Sequence, residues 1–185
     1  MKKDPTPIIG FCAYSGTGKT TFLAKIIPLL AKKGLRLAIL KHAHHEFDID
    51  HPNKDSYKLR HAGATQMLIS SSRRWALMRE LAKEENELGL KELLSKLDHA
   101  STDLILVEGF KKEAFKKIEL HRPSLKHNLM SMTDKNIVAV ATDEVVDLPS
   151  HLTHLDLNNP DEIATIFLSD RLIRLCFRLG RCNSI

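Results

Sequence analysis

The stretch that decides the fold is Ala13-Tyr14-Ser15-Gly16-Thr17-Gly18-Lys19-Thr20, which has the pattern of a phosphate-binding P-loop. The apolar residues 8–12 precede it and predict a buried strand, while residues 21–27 predict the start of a helix. A P-loop requires this order of strand, glycine-rich loop and helix. Ala13 stands where the first glycine of the motif is usual, and the rest of the pattern is complete.

The residue types of this stretch suit an anion. Gly16 and Gly18 carry no Cβ, so backbone N–H groups can turn inward around a phosphate. The helix that opens near Lys19 adds free N–H groups and the positive end of its dipole. We expect Lys19 to reach the β- and γ-phosphates of a nucleotide and the Thr20 hydroxyl to hold Mg²⁺. The predicted nucleotide-binding residues of this stretch are Ala13, Tyr14, Ser15, Gly16, Thr17, Gly18, Lys19, Thr20 and Thr21.

A second motif lies at residues 104–109, which read Leu-Ile-Leu-Val-Glu-Gly. Its four apolar residues predict a buried strand that delivers Glu108 to the phosphate end of a sheet, as the Walker B acid does in P-loop enzymes. We therefore predict that Glu108 acts on Mg²⁺, directly or through water, and is catalytic together with Lys19. Gly109 would let the backbone pass close to a phosphate.

Strand-like runs alternate with helical patterns along the chain. This alternation predicts an α/β fold of the P-loop NTPase type, a three-layer sandwich whose mainly parallel sheet is extended by antiparallel strands. The antiparallel strands are a predicted β-hairpin over about residues 66–79, in which two apolar runs flank a polar link. The other predicted elements are helices over 19–33, 55–61, 88–97 and about 160–179, and strands over 35–40, 104–107, 118–121 and 137–141.

Polar residues follow several of the predicted strands. Ligands of parallel α/β sheets bind at the carboxyl ends of the strands. Lys41 and His42 lie at such an end, as do Glu108 with Gly109 and Asp143, so we predict that all of them line the nucleotide site. Asp143 can accept hydrogen bonds from the guanine N1 and N2 donors. The guanine-reading signature Asn-Lys-x-Asp is not in the sequence, and a loop aspartate that caps a turn is an equal alternative.

The loop at residues 42–51 holds four histidines and three carboxylates. Histidine and carboxylate suit zinc and similar ions, but the spacing matches no standard ligand pattern. We favour a switch-like loop beside nucleotide and Mg²⁺, in which Asp48, Asp50 or Asp55 supplies a carboxylate. Asp55 is accordingly a predicted metal residue together with Thr20 and Glu108. A solvated loop stays open for each histidine.

Composition limits the class of protein. The chain has 185 residues, of which 43% are hydrophobic, and a formal net charge of +5, which fits one domain over residues 1–185. The basic cluster at residues 110–117 predicts a solvated loop or an anionic-ligand site more than a nucleic-acid surface. The apolar runs of the chain fall short of the ~20 residues that span a bilayer. Three cysteines without a CxxC pair predict a reduced, cytoplasmic protein. The short apolar runs and the spread of basic residues along the chain predict that it contacts neither membrane nor nucleic acid.

Five segments together resemble the MobB family of molybdopterin-guanine dinucleotide biosynthesis adapter proteins, and the resemblance runs over roughly residues 7–145. The segments are Ala-Tyr-Ser-Gly-Thr-Gly-Lys-Thr-Thr (13–21), Leu-Lys-His-Ala-His-His (40–45), Lys-Asp-Ser-Tyr-Lys-Leu-Arg-His-Ala-Gly-Ala (54–64), Arg-Trp-Ala-Leu-Met (74–78) and Asp-Leu-Ile-Leu-Val-Glu-Gly-Phe-Lys (103–111).

The resemblance implies a GTP-binding protein with weak GTPase activity, in bacterial molybdenum cofactor maturation. It implies GTP and Mg²⁺ as cofactors, a homodimer, and as partner the guanylyltransferase that joins GMP to molybdopterin; molybdopterin itself is a further candidate ligand. Gly16, Gly18, Lys19 and Thr20 would bind phosphate and Mg²⁺, and Glu108 would complete the metal side. Lys41, His42 and Asp55 match family positions near the site.

Two alternatives remain open. One is a P-loop kinase of a small molecule, for which His44 or Asp50 would serve as the base. The other is a non-catalytic nucleotide- or pterin-binding module. The sequence offers no obvious arginine finger, so we expect slow hydrolysis. A partner or second subunit would supply the missing charge, and Arg73 and Arg74 of the hairpin are the candidates.

Overall fold

The computed structural model describes residues 6–43, 47–82 and 86–168, over which strands alternate with helices. Short 3₁₀ turns lie at Pro123–Leu125 and Met130–Met132. The strands are β1 (Ile8–Cys12), β2 (Leu37–Lys41), β3 (Gln66–Ser70), β4 (Trp75–Arg79), β5 (Leu104–Glu108), β6 (Lys117–His121), β7 (Ile137–Thr142) and β8 (Thr153–Asp156). The helices are α1 (Lys19–Lys32), α2 (Asp55–His61), α3 (Leu90–Leu94) and α4 (Pro160–Leu168).

The chain divides into two compact units, so the prediction of a single domain over residues 1–185 stays a prediction. The first unit runs to His42 and resumes at Leu93, and the second covers Ala43–Glu92. In the first unit, six strands form one sheet in the order β2-β5-β1-β6-β7-β8. Each of its strand pairs is parallel. The mainly parallel α/β sheet predicted from the sequence is therefore confirmed.

The predicted hairpin forms, but it does not extend the large sheet. β3 and β4 pair in antiparallel register as a two-stranded sheet of their own in the second unit. The reason lies in their burial, because side chains along both strands are largely exposed. A strand of a sheet covered on both faces needs a nearly continuous apolar run, such as the buried β5 and β7 have.

The core of the first unit lies between the sheet and the helices α1 and α4. Phe22, Ile26 and Leu30 lie on one face of α1 at the spacing of an amphipathic helix, and all three are buried. The Phe11 ring of β1 stacks on the Phe167 ring of α4 at 6.3 Å between centroids. Gly34 follows the helix with φ 91° and ends it, as predicted. The packing fixes the position of α1, and with it the loop that precedes the helix.

The strand β6 differs from its predicted alternation of buried and exposed residues, because all five of its residues are buried. It lies between β1 and β7, so neither edge nor face meets solvent. Lys117 belongs to the cluster predicted as a solvated loop, yet it is buried, and its Nζ donates to the Asp134 carboxylate at 2.7 Å and to the Lys111 carbonyl at 2.8 Å. Burial of the lysine is possible because each contact replaces a hydrogen bond to water.

Two other elements, β8 and α3, depart from the sequence prediction. The strand β8 was not predicted. The helix α3 has five residues instead of ten, because the N–H groups of Lys96 and Leu97 donate to the third preceding carbonyl and close a turn. The helix α4 confirms the predicted start near residue 160, and the predicted continuation over 169–179 lies outside the described residues.

Candidate functional site

The P-loop leaves the carboxyl end of β1 and has the conformation that its glycines allow. Gly16 and Gly18 have φ of 82° and 91°, in the left-handed region that strains other residues. A Cβ added at Gly16 would meet no heavy atom within 4 Å, so the space beside the loop is open. The Thr17 side chain is buried, and its hydroxyl donates to the Tyr14 carbonyl at 2.9 Å. The loop therefore presents an open concave backbone at the N-terminus of α1, where an anion is favoured.

Glu108 meets two predicted lysines at the same edge of the sheet. It ends β5, which pairs with β1 on one side and β2 on the other, opposite Phe11 and Lys41. One carboxylate oxygen lies 3.5 Å from the Lys19 Nζ and the other lies 3.3 Å from the Lys41 Nζ. The Glu108 side chain is 13% exposed. The structure thus brings together three of the residues that the sequence assigns to the nucleotide site.

Gly109 and His42 lie in direct contact next to these charges. Gly109 has φ 105°, and a Cβ built there would lie 2.5 Å from the His42 Cβ. The His42 ring stacks on the Phe110 ring at 4.6 Å, and the His42 N–H donates to the Glu108 carbonyl at 2.8 Å. A glycine is required at position 109 because β2 and β5 end this close together. Its predicted approach to a phosphate stays a prediction.

Oxygen ligands for a hard cation are present at this edge. The Thr20 hydroxyl is exposed at the first turn of α1, one residue after Lys19. It and the Glu108 carboxylate are donors of the kind that Mg²⁺ prefers. The third predicted metal residue, Asp55, belongs to the second unit, where its exposed side chain lies 3.8 Å from the Lys58 Nζ. The donor chemistry of Thr20 and Glu108 fits Mg²⁺.

In the second unit, Arg60 pairs with the acidic residues of the histidine-rich loop. Its guanidinium donates to Asp48, to Asp50 at 2.7 Å and to Glu80 at 2.6 Å. The hydrogen bond from Arg60 lowers the pKa of Asp50. Within residues 6–43, 47–82 and 86–168, no group of three or more histidine, cysteine, aspartate or glutamate side chains could hold a metal ion. Residues 44–46, which include the candidate base His44, lie outside the described residues.

Arg73 and Arg74 lie in the turn that joins β3 to β4. The turn is closed by the Ser71 N–H, which donates to the Arg74 carbonyl at 2.9 Å. Both arginines are exposed. Their role as the charge that a partner or second subunit would supply to the site stays a prediction.

Sequence reasoning missed one residue at the phosphate edge, Arg122. It directly follows β6, and its Nε donates to the carbonyl of Thr17 in the P-loop at 2.9 Å. Its Nη1 pairs with Asp143, the predicted base-reading residue, which directly follows β7. The signal was a charged residue immediately after a strand. It could be read only with the strand order, which sets β6 between β1 and β7.

Comparison with protein families gives a match that covers this whole edge of the sheet. Residues 8–143 match the family model MobB, described as molybdopterin guanine dinucleotide synthesis protein B. The chain belongs to the MobB family. The match contains the P-loop, Glu108, Arg122 and Asp143, so the MobB family model spans every residue that the structure brings to the site.

Two relatives and one solved structure agree with membership of the MobB family. The molybdopterin-guanine dinucleotide biosynthesis adapter protein of Escherichia coli (strain K12) is 47% identical over 88% of this chain and 91% of the relative. The protein of that name from Haemophilus influenzae is 39% identical over 85% of each chain. The crystal structure of a molybdopterin-guanine biosynthesis protein B is 27% identical, with a TM-score of 0.66 over 88% of this chain and 98% of the other.

Membership of the MobB family assigns the chain to molybdopterin guanine dinucleotide biosynthesis and confirms the P-loop type of α/β fold. An adapter role implies that the chain works with a partner enzyme. Among the helices of the described residues, none has the length and apolar character needed to cross a membrane.

Proposed function

We propose that this chain is a GTP-binding adapter with weak GTPase activity, which uses Mg²⁺ and assists the guanylyltransferase that joins GMP to molybdopterin. The observation that carries the proposal is the contact between Lys19 of the P-loop and Glu108 of β5, 3.5 Å apart. A cation for phosphate and an acid for the metal side are the two charges that P-loop NTPases set face to face. The named adapter proteins from E. coli and H. influenzae support the pathway.

The residues at this edge have distinct tasks in nucleotide binding. The backbone of the loop around Gly16 and Gly18 would donate N–H groups to the phosphates. Lys19, which is paired with Glu108 in this structure, would exchange that partner for the β- and γ-phosphates. Thr20 and Glu108 would hold Mg²⁺, which supplies positive charge beside the phosphates when bound. Lys41, 3.3 Å from Glu108, would keep the acid oriented after Lys19 turns away.

Hydrolysis by such a site is expected to be slow. Fast phosphoryl transfer needs a group that orients the attacking water and a cation that stabilises the transition state. The described residues of the unit that carries the P-loop include no glutamine. The Arg122 guanidinium already donates to Thr17 and Asp143. Slow turnover is compatible with an adapter role, because the partner enzyme would perform the nucleotidyl transfer.

Calorimetric titration with Mg²⁺ tests the proposal, with GTP and ATP against the wild type and the Lys19→Ala variant. We expect the wild type to prefer GTP, and the variant to bind at least about 100-fold more weakly because a charge-assisted contact to phosphate is lost. Lys25→Ala is the matched control, since Lys25 is an exposed lysine of the same helix. Equal binding by wild type and Lys19→Ala contradicts the proposal.

The adapter role has its own experiment. The guanylyltransferase is assayed for GMP transfer to molybdopterin with no adapter, with the wild type and with Lys19→Ala. Stimulation by the wild type but not by Lys19→Ala supports the adapter role. Equal stimulation by the variant would show that the adapter role does not need GTP binding. Sedimentation of the wild type tests the predicted homodimer.

A kinase remains the alternative function, and one contact weakens it. The base candidate Asp50 is held by Arg60 and its side chain is only 6% exposed. Phosphate release with and without candidate acceptors separates the two functions. Acceptor-dependent consumption of nucleotide would favour a kinase.

A further inference from the structure

Arg122 bridges two sides of the candidate nucleotide site. The strand before it, β6, pairs with β1 in parallel, with Cys12 opposite Glu119, so the residues after both strands emerge side by side. The Arg122 Nε donates to the Thr17 carbonyl at 2.9 Å. Its Nη2 lies 3.9 Å from the position that a Cβ would take at Gly18. The guanidinium therefore braces the P-loop from the side of β6.

The other end of the bridge is Asp143. One of its oxygens, Oδ2, accepts from the Arg122 Nη1. The other, Oδ1, is buried and has no hydrogen-bond partner among the described residues. The Asn158 side chain donates to the Asp143 carbonyl at 3.2 Å and fixes the backbone there. Asp143 thus keeps one acceptor that the protein leaves unused, although an unpaired buried acceptor costs stability.

The donors of Arg122 are divided between different targets. In a bidentate arginine–carboxylate pair, two parallel N–H groups donate to one carboxylate, as Arg36 does with Asp103. Arg122 gives one donor to a carboxylate and one to a P-loop carbonyl, and its Nη2 has no partner among the described residues. Such an arrangement couples two groups instead of satisfying one.

We propose that Arg122 is a positioning residue that couples the P-loop to Asp143, so that phosphate affinity and guanine preference both depend on this side chain. The inference rests on the proposed function, because it assumes that nucleotide binds at the P-loop. Loss of the guanidinium frees the Thr17 carbonyl, and the loop N–H groups no longer converge on phosphate. The same loss leaves Asp143 without its cation, so the carboxylate turns from the orientation in which Oδ1 faces a base donor.

Three probes test the coupling by calorimetry with Mg²⁺, namely GTP, ATP and inorganic tripolyphosphate, which has no base. We expect Arg122→Gln to weaken tripolyphosphate about tenfold and to reduce the GTP over ATP preference at least about fivefold, because each lost charged hydrogen bond is worth ~1.5–3 kcal/mol. Asp143→Asn should reduce the preference and leave tripolyphosphate within about twofold, because Arg122 keeps its hydrogen bond to the Thr17 carbonyl of the P-loop. Arg36→Gln, which removes an arginine–aspartate pair at the opposite edge of the sheet, should change none of the three affinities.

Arg122→Lys is a second variant, which separates a loss of affinity from a loss of stability in case Arg122→Gln does not fold. Lysine keeps the charge but lacks the planar fork, so it cannot reach Thr17 and Asp143 together. We expect it to restore the thermal unfolding temperature without restoring the preference for GTP. A merely structural role predicts that affinity and unfolding temperature recover together.

The outcomes separate the inference from the proposed function. A weaker tripolyphosphate affinity with an unchanged GTP over ATP ratio in Arg122→Gln makes Arg122 a brace of the P-loop alone and overturns the coupling. Unchanged affinities for all three probes overturn it as well. Wild type that binds no GTP in a Lys19-dependent way overturns the proposed function, and the inference with it.

Discussion

The parallel strands of the six-stranded sheet begin at one side, the amino edge, and end at the other, the carboxyl edge. Charged residues of the same types are paired differently at these two edges. At the amino edge, Arg36 precedes β2 and Asp103 precedes β5, and the guanidinium reaches both carboxylate oxygens, at 2.6 and 2.9 Å. The Arg36 N–H donates to the same carboxylate at 2.9 Å. At the carboxyl edge, Arg122 gives only one donor to Asp143, whose Oδ1 has no partner among the described residues. The Asp103 carboxylate has protein donors at both of its oxygens, whereas the Asp143 carboxylate keeps one oxygen that a ligand could use.

The lysines repeat this contrast. Lys117 begins β6 at the amino edge and donates to Asp134 at 2.7 Å from a side chain that is 2% exposed. At the carboxyl edge, Lys19 and Lys41 share the carboxylate of Glu108 at 3.5 and 3.3 Å. Two cations on one acid leave an excess of positive charge, which suits polyphosphate. The difference between the edges therefore predicts that loss of a charged pair at the amino edge changes stability, and that loss of a charged pair at the carboxyl edge changes binding.

The largest effect is expected from Gly109→Ala, which breaks the contact between the ends of β2 and β5. The new Cβ would lie 2.5 Å from the His42 Cβ, which moves only with the backbone, at a φ of 105°. Overpacking and left-handed strain together should lower the free energy of unfolding by about 2–5 kcal/mol. Denaturant unfolding measures the change.

Gly34→Ala is the control at the amino edge, because Gly34 has φ 91° and an added Cβ would have no atom within 4 Å. Strain alone should cost about 1–2 kcal/mol there. Equal losses in the two variants would contradict the role given to His42.

Asp134→Asn tests the amino edge for stability. Burial opposes ionisation of Asp134, but hydrogen bonds from Lys117 and Asn136 outweigh it and lower its pKa. We expect the variant to lose roughly 2–4 kcal/mol of unfolding free energy at pH 7, because Lys117 keeps its charge in a buried site. A lowered pKa stabilises the fold above the ordinary aspartate pKa of about 3.9 and ceases to do so as pH falls through the folded value.

The difference between wild type and Asp134→Asn should therefore shrink below about pH 4. Urea unfolding from pH 3 to pH 7 measures it. A difference that stays constant over this range would show that the charge of Asp134 does not stabilise the fold.

Glu108→Gln tests the carboxyl edge for binding. The amide cannot serve Mg²⁺ as a carboxylate does, and it frees both lysines from their pairing. We expect the gain in GTP affinity on adding Mg²⁺ to fall about tenfold, while affinity without Mg²⁺ is kept or improved. Calorimetry with and without Mg²⁺ measures both values. Asp103→Asn should leave the Mg²⁺ dependence unchanged, and an equal fall in both variants would contradict a local role.

A chemical probe of the carboxyl edge is Cys12, the last residue of β1 before the P-loop. Burial, and next the charge of Glu119, raise the pKa of its thiol to about 12. In a Cys176→Ser/Cys182→Ser chain, Cys12 should react with a thiol reagent at pH 8 at least about 100-fold more slowly than in denaturant, since the thiolate is the nucleophile. The rate is measured from the absorbance of the coloured group that the thiol displaces from the reagent. Rapid reaction in the folded chain would show that this end of β1 opens readily.

The sequence could predict what depends on local pattern. The glycines and Lys19 of the P-loop, the apolar run that delivers Glu108, and the hairpin turn each depend on neighbouring residues, so the predicted strand, loop and helix were confirmed. The alternation of Ile118 and Glu119 in β6 was misleading, because burial of a strand depends on its neighbours in the sheet. Glu119 is buried and accepts N–H groups of Met130 and Ser131, each at 2.8 Å.

The part of the site that the sequence could not predict is the part that depends on strand order. Arg122 and Asp143 are 21 residues apart and meet only because β6 and β7 are neighbours. Thr17 is 105 residues from Arg122, and no local pattern connects them. A charged residue after a strand is common, so this pattern identifies a site residue only when the strand order is known.

The hairpin carries the only tryptophan of the chain, Trp75, on β4. The ring is 70% exposed and shares its face of the two-stranded sheet with Leu68 and Leu77. Indole fluorescence moves to shorter wavelength when water leaves the ring. The chain therefore contains a built-in optical reporter, which shows without any label whether a molecule added in solution covers this face of the hairpin.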